Sequence, residues 1–329
     1  MQLPTSRGPL SQYVLSSLRE PEPASPAPPL RQGPVALDAD CQIALWVLYE
    51  LHYRGFDDEA GDHEWDPELL RLRRAVEDRF EQDLRAATET VVAGVDLDSD
   101  LAEELLSLVA RDSGPSVAAF LHRHAERQHV LDYLSERSLQ QLKESDPQSF
   151  LLARLDGPAK VALAEIQYDE YGGGRPDRLH QLLYAQAMAG AGLDPSYGAL
   201  VESVSAEALA GANVMSMFAL NRRLRGAAAG HFAALEASSS VPSRKVAAGI
   251  DRLGFAPEVA EYFLEHVEAD AVHEQVAARD VCAGMAGSNR MMRRDVIFGA
   301  ACVLHLDALF AQMLLAKWHV ADELQAVAS

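Results

Sequence analysis

The segment Glu265-His266-Val267-Glu268-Ala269-Asp270-Ala271-Val272-His273-Glu274 sets two histidines and an aspartate at positions i, i+4 and i+7. At about 100° per residue, His266, Asp270 and His273 share one face of a single helix. Neutral imidazole nitrogen and carboxylate oxygen are donors that iron, manganese and zinc accept, so this face is a ready metal-binding edge. A solvated polar stripe is the plainer alternative.

A second segment runs from Glu165 through Glu170 and Gly172-Gly173-Gly174 to His180. Three glycines and Pro176 in a helical context cost several kcal/mol of helix propensity, at about 1 per Gly and 3 per Pro, so something should offset them. On a straight helix Glu170 and His180 would stand about 15 Å apart. Looping out Gly172 to Pro176 brings both within reach of one site, although an ordinary helix corner ending in glycines would read the same way. A helical bundle around two metals needs about six such side chains, so a further carboxylate must come from another helix. Glu136 and Glu144 are the candidates, and spacing does not choose between them.

Other residues carry weaker signals. Glu50 and His52 stand two apart on a helical pattern and point in different directions, which suits support of a site better than ligation. Tyr168 and Tyr171 flank Glu170, where a phenol can donate to a ligand carboxylate. Arg222, Arg223 and Arg225 form a basic cluster able to hold a substrate carboxylate, or to pair with surplus acids. No residue stands out as a covalent nucleophile.

These side chains need helices to position them. From residue 36 apolar residues recur at helical spacings, as in Leu69, Leu70, Leu72, Val76 and Phe80, and good helix formers dominate. No run of alternating β-branched residues bounded by tight turns competes, so the expected class is all-α, with about nine or ten helices. Breaks are expected at glycine and proline clusters, including Asp146 to Pro158, Gly172 to Pro176, Ser238 to Pro242 and Gly254 to Pro257. Residues 1–35 hold half of the prolines and read as a mobile extended arm. Residues 36–125 read as helices packed on a core bundle of 126–329, with 36–329 one globular unit.

Composition narrows the partners. The chain has 329 residues with 29 Lys plus Arg against 49 Asp plus Glu, a net charge of −20 that repels nucleic acid and anionic lipid. Three dispersed cysteines, Cys41, Cys282 and Cys302, build no thiolate zinc site and suit a reduced compartment, so the expected location is the cytoplasm. No secretory signal is expected in the proline-rich start. Val296 to Trp318 is long enough to cross a bilayer, but His305, Asp307, Gln312 and Lys317 would be costly there, so it reads as a buried core helix. The large helical surface and this apolar helix suit a homodimer.

Taken together, the segments resemble the haem-oxygenase-like diiron oxidase and oxygenase family, also called iron-containing redox enzymes. The resemblance rests on Leu142-Lys143-Glu144-Ser145-Asp146-Pro147, on Glu165 to Gly174 with His180, and on Glu265 to His273. Tyr49-Glu50-Leu51-His52-Tyr53-Arg54-Gly55-Phe56 and Asn221 to Gly226 add to it. It implies a haem-oxygenase-like bundle with additional N-terminal helices. It also implies a ligand set of Glu144, Glu170, His180, His266, Asp270 and His273, favouring Glu144 over Glu136. Some relatives add a carboxylate from a neighbouring helix, for which Glu236 is the natural candidate. The implied chemistry uses two Fe ions cycling between Fe2+ and Fe3+, O2 as co-substrate, an external electron donor and no haem. The substrate would be a small amino-acid-like or amine-bearing molecule of specialised metabolism, with N-oxygenation the first expectation. Desaturation, decarboxylation or C–C cleavage of an amino or fatty acid is the alternative; a haem-binding or non-catalytic helical protein is the rival class.

Overall fold

In the computed structural model, residues 1–19 and 27–320 are described, apart from the side chains of 268–271. The chain folds as α1 (Pro9–Arg19), α2 (Ala39–Glu50), α3 (Pro67–Ala93), α4 (Leu101–Ala110), α5 (Val117–Arg123), α6 (Arg127–Gln141) and α7 (Asp146–Leu152). There follow α8 (Gly157–Glu170), α9 (His180–Gly190), α10 (Ala206–Leu220), α11 (Arg225–Arg252) and α12 (Pro257–Gln275). A π-helical stretch (Val276–Ala283), the one-turn α13 (Gly284–Ala286) and α14 (Arg290–Lys317) complete it. No strand occurs among the described residues.

The helix starts follow from local chemistry. Asp38, Asp66 and Asp100 accept backbone N–H groups at the starts of α2, α3 and α4, and Ser116, Ser205 and Asn289 do so for α5, α10 and α14. Prolines open α3, α7, α8 and α12, where a missing N–H costs nothing. Short helices such as α5 and α7 raise the number above the nine or ten expected, because they fall inside stretches read as one longer helix or as a break.

Helices α10, α11 and α14 form the centre, with α10 almost wholly buried. Where α11 crosses α14, a Cβ on Gly230 would collide with the Val296 carbonyl and one on Gly299 with the Ala227 carbonyl. Each helix therefore offers a glycine where the other's backbone passes. Helix α12 lies along α11, and α9 and α8 close over it, α8 packing against the π-helical stretch that continues α12. Short π-helical stretches are rare inside α-helices and recur at functional sites.

Three expectations meet a different or sharper outcome. Residues 1–19 are not an extended arm: α1 buries Leu10, Val14, Leu15 and Leu18, and Asp40 accepts from the Leu10 and Ser11 backbone N–H groups. The prolines that suggested an arm cluster later, and residues 20–26 lie outside the described chain. Ser238 to Pro242 is no break either, since α11 runs through Pro242. The hydroxyls of Ser238 and Ser239 donate to the carbonyls of Leu235 and Glu236, and that of Ser240 to Val267 of α12, which ties down backbone around the missing Pro242 N–H. Helix α14 is long and apolar enough to cross a membrane by composition, and it packs inside the bundle against α11, α3 and α10.

Candidate metal centre

Glu144 sits in the turn between α6 and α7, Glu170 ends α8, His180 is the first residue of α9, Glu236 lies in α11, and His266 and His273 lie in α12. The turn from Glu170 to His180 is built by glycine. Gly172, Gly173 and Gly174 all have positive φ, and a Cβ on Gly172 would stand 2.8 Å from the Arg178 carbonyl carbon. The looped-out glycines bring Glu170 and His180 together, with His180 Nδ1 3.0 Å from Glu170 Oε2.

Two groups of donors result. Ligand atoms of Glu144, Glu170, His180 and His266 lie within 4.8 Å of one another, and so do those of Glu170, Glu236 and His273. Glu170 belongs to both. Its carboxylate lies 3.5 Å from His273 Nδ1, which is 3.4 Å from Glu236 Oε2, while His266 Nε2 is 3.5 Å from Glu144 Oε1. The His180 and His266 rings stand 4.6 Å apart. The donors are buried, Glu144 less so than the rest. The side chain of Asp270, the remaining residue of the expected set, lies outside the described residues.

Neighbouring groups orient the imidazoles. His266 Nδ1 bonds the Tyr262 carbonyl at 2.7 Å, which makes that nitrogen the N–H donor and turns the Nε2 lone pair toward Glu144. His273 Nε2 reaches Asp169 Oδ2 at 3.4 Å, leaving Nδ1 to face Glu170 and Glu236. The carboxylates are held as well: Tyr262 Oη donates to both Glu144 oxygens at 3.0 and 2.9 Å, and Ser145 Oγ donates to Glu170 Oε2 at 3.0 Å.

The electrostatics suit cations. Burial alone would raise the Glu170 pKa, but His180, His266 and His273 outweigh it and hold the carboxyl down at about 2. Burial would likewise lower the His180 pKa, and the hydrogen-bonded Glu170 carboxylate reverses this, leaving it raised. A buried set of hard carboxylates and oriented imidazole nitrogens suits a first-row divalent metal ion, and one glutamate belongs to both groups.

Several expected supporting residues lie elsewhere. His52 pairs with Glu64 and Arg73 at the corner between α2 and α3, a consequence of the chain turning away directly after Glu50. Tyr168 is exposed and donates to the Gly173 carbonyl, and Tyr171 bonds Ser149 and Asp146, so neither phenol reaches Glu170. Glu50 touches no ligand and pairs with Lys143. Glu136 accepts from the Ser205 backbone at the start of α10. Tyr262, Ser145 and Asp169 were not singled out from the sequence. Tyr262 carried a signal, standing four residues before His266 on the same helical face, whereas the other two act across contacts that only folding creates.

A cavity of about 410 Å³ opens on Glu144, Glu170, Glu236 and His266. Its lining includes Arg137, whose Nη2 donates to Asp307 at 2.8 Å and whose guanidinium lies 4.1 Å over the Phe310 ring. Arg222, Arg223 and Arg225 do not line it. They sit at the junction of α10 and α11, where Arg223 pairs with Glu81 and Asp78.

Among the described residues, then, a helical bundle holds a buried carboxylate and imidazole cluster beside a cavity. The family model described as iron-containing redox enzyme matches residues 131–308, just over half of the chain, and the chain belongs to that haem-oxygenase-like family. No curated protein matches it.

Proposed function

We propose that the protein is an O2-dependent, non-haem diiron oxidoreductase acting on a small amine-bearing or amino-acid-like substrate, N-oxygenation being its first candidate reaction. The observation that supports the reading is Glu170, which belongs to both donor groups and would be common to two metal positions. Glu144, His180 and His266 would hold the first ion and Glu236 and His273 the second, with Asp270 added to the second by its place in the sequence pattern. Two iron ions there would supply the electrons that reduce O2 and would take part in oxidising the substrate.

The chain's own residues do the rest. Tyr262 and Ser145 fix the orientation of Glu144 and Glu170, and the Tyr262 carbonyl and Asp169 fix His266 and His273. Three carboxylates facing the cavity favour metal ions over a haem face, for which one imidazole would suffice. The Arg137–Asp307 pair adds one cation and one carboxylate to the cavity lining, a surface that supports a substrate bearing both charges. Desaturation, decarboxylation and C–C cleavage are the alternatives on the same centre.

The test is stopped-flow absorbance of anaerobically Fe(II)-loaded protein mixed with O2, with metal analysis, against a panel of amino acids and amines. A transient visible band at about two irons per chain, accelerated by one member of the panel, is the expected outcome. No iron uptake and no reaction with O2 would overturn it.

A further inference from the structure

The family match begins at residue 131, and α2 lies outside it. Yet the last residue of α2 reaches the metal centre's framework. Glu50 is fully buried, and its Oε1 accepts from Lys143 Nζ at 2.7 Å and from Tyr197 Oη at 2.6 Å. The Lys143 side chain is 3% exposed, with its ammonium 4.3 Å from the Tyr53 ring centroid. Lys143 directly precedes Glu144 and stands two residues before Ser145.

That turn is held on every side. Arg54, just past α2, donates to the Leu142 carbonyl at 3.2 Å, Gln181 to the Glu144 carbonyl at 2.7 Å, and Gln167 to the Ser145 carbonyl at 2.8 Å. Ser145 itself has φ of 68°, a left-handed conformation that a residue with a side chain keeps only when its surroundings impose it. The conformation is what lets one turn aim Glu144 at His266 and the Ser145 hydroxyl at Glu170. Among these anchors the Glu50–Lys143 pair is the buried, charged one.

We propose that Glu50 and Lys143 are positioning residues. The ion pair between α2 and the 142–145 turn sets the first metal position, so that a helix outside the matched family span completes the centre. The inference rests on the two-metal reading above. Its geometry predicts a loss that falls most heavily on the first half: the second group meets the turn through the shared Glu170, bonded by Ser145, while Glu236 and His273 hang on α11 and α12.

The experiment titrates metal-free full-length protein with Co(II), read by visible absorption and metal analysis, for wild type, Glu50→Gln, Lys143→Met and the double variant. Glu144→Gln and Glu236→Gln supply reference spectra for loss of the first and second positions. Thermal melting of the metal-free proteins is followed in parallel. The single variants leave one buried charge unpaired and should melt lower, and the double variant should recover, because neither charge remains. First-position affinity should stay about 10–100-fold weaker in all three, with spectra like that of Glu144→Gln. A double variant that regains both its melting temperature and its first-position affinity would overturn the proposal, since the pair would then act through stability alone. Single variants that bind two ions as wild type does would also overturn it. Wild type that binds no metal would instead sink the two-metal reading, and the positioning role with it.

Discussion

Glu144, His180 and His266 reach Glu170 from a turn, a helix start and a helix interior, whereas Glu236 and His273 reach it from the interior of α11 and the last turn of α12, two long helices packed side by side. The first half depends on backbone that is not helical: Ser145 in a left-handed conformation and the Gly172–Gly174 turn. Such segments have no ladder of their own and are fixed by side-chain hydrogen bonds from Arg54, Gln167, Gln181 and Tyr262. The second half draws its geometry from the packing of α11 on α12 and α14, and Asp169, which supports the His273 imidazole, is about half exposed. The lesson is that one centre combines a half sensitive to single polar substitutions with a half sensitive to helix packing.

The largest effect expected is that of Glu170→Ala, which removes the ligand common to both halves. Iron per chain after anaerobic loading should fall from about two to near background. Retention of one tightly held ion would separate the halves and break the comparison. Next, His266→Ala and His273→Ala should each leave about one ion, from opposite halves, and both should abolish substrate oxidation while leaving different Co(II) spectra. Identical spectra would mean that the two groups are not distinct positions.

His231, on α11 five residues before Glu236, gives a stability effect seated in the second half's helix. Burial pushes its pKa down to about 4, so the folded protein keeps it neutral while the unfolded chain protonates it near 6.5. Because the unfolded state binds the extra proton, this contribution is fully present above pH 6.5 and is lost as pH falls toward 4, by about 3 kcal/mol. Urea unfolding of metal-free protein at several pH values should show this acid limb reduced in His231→Leu. Parallel curves for the two proteins would remove His231 from the account.

Smaller effects compare the supports. Tyr262→Phe deletes the hydroxyl bonded to both Glu144 oxygens and should weaken the first metal about 10–100-fold in a competition titration. Asp169→Asn should weaken the second by about tenfold or less, because a half-exposed carboxylate acts through a more polar medium. A larger loss from Asp169→Asn than from Tyr262→Phe would invert the comparison.

Much of this was written locally. The spacing of His266 and His273 fixes their common face once a helix forms, and the glycine run before Pro176 marks where the chain must turn to carry His180 toward Glu170. Helix class followed from propensity, caps and periodicity, all of which act within a few residues. Pro242 misled because its effect on α11 depends on serine hydroxyls and on the neighbouring α12, whereas α1 is legible locally, since Leu10, Val14, Leu15 and Leu18 recur at helical spacing, and the prolines that follow masked it. Tyr168 and Tyr171 flank Glu170 in the chain and His52 follows Glu50 by two, yet a side chain's direction is set by the turn that follows it.

By itself the sequence determined the helical class, the donor types and the two segments that carry most of them, since these depend on composition and on periods of a few residues. Only the tertiary structure decided that Glu170 is shared, that Glu236 faces His273, that Tyr262 and Ser145 rather than the flanking tyrosines hold the carboxylates, and that Glu50 reaches across to Lys143. Each of those is a contact of a few ångströms between residues distant in the chain or on opposite sides of a turn, and its distance is fixed by how helices pack against one another rather than by any residue's own preference.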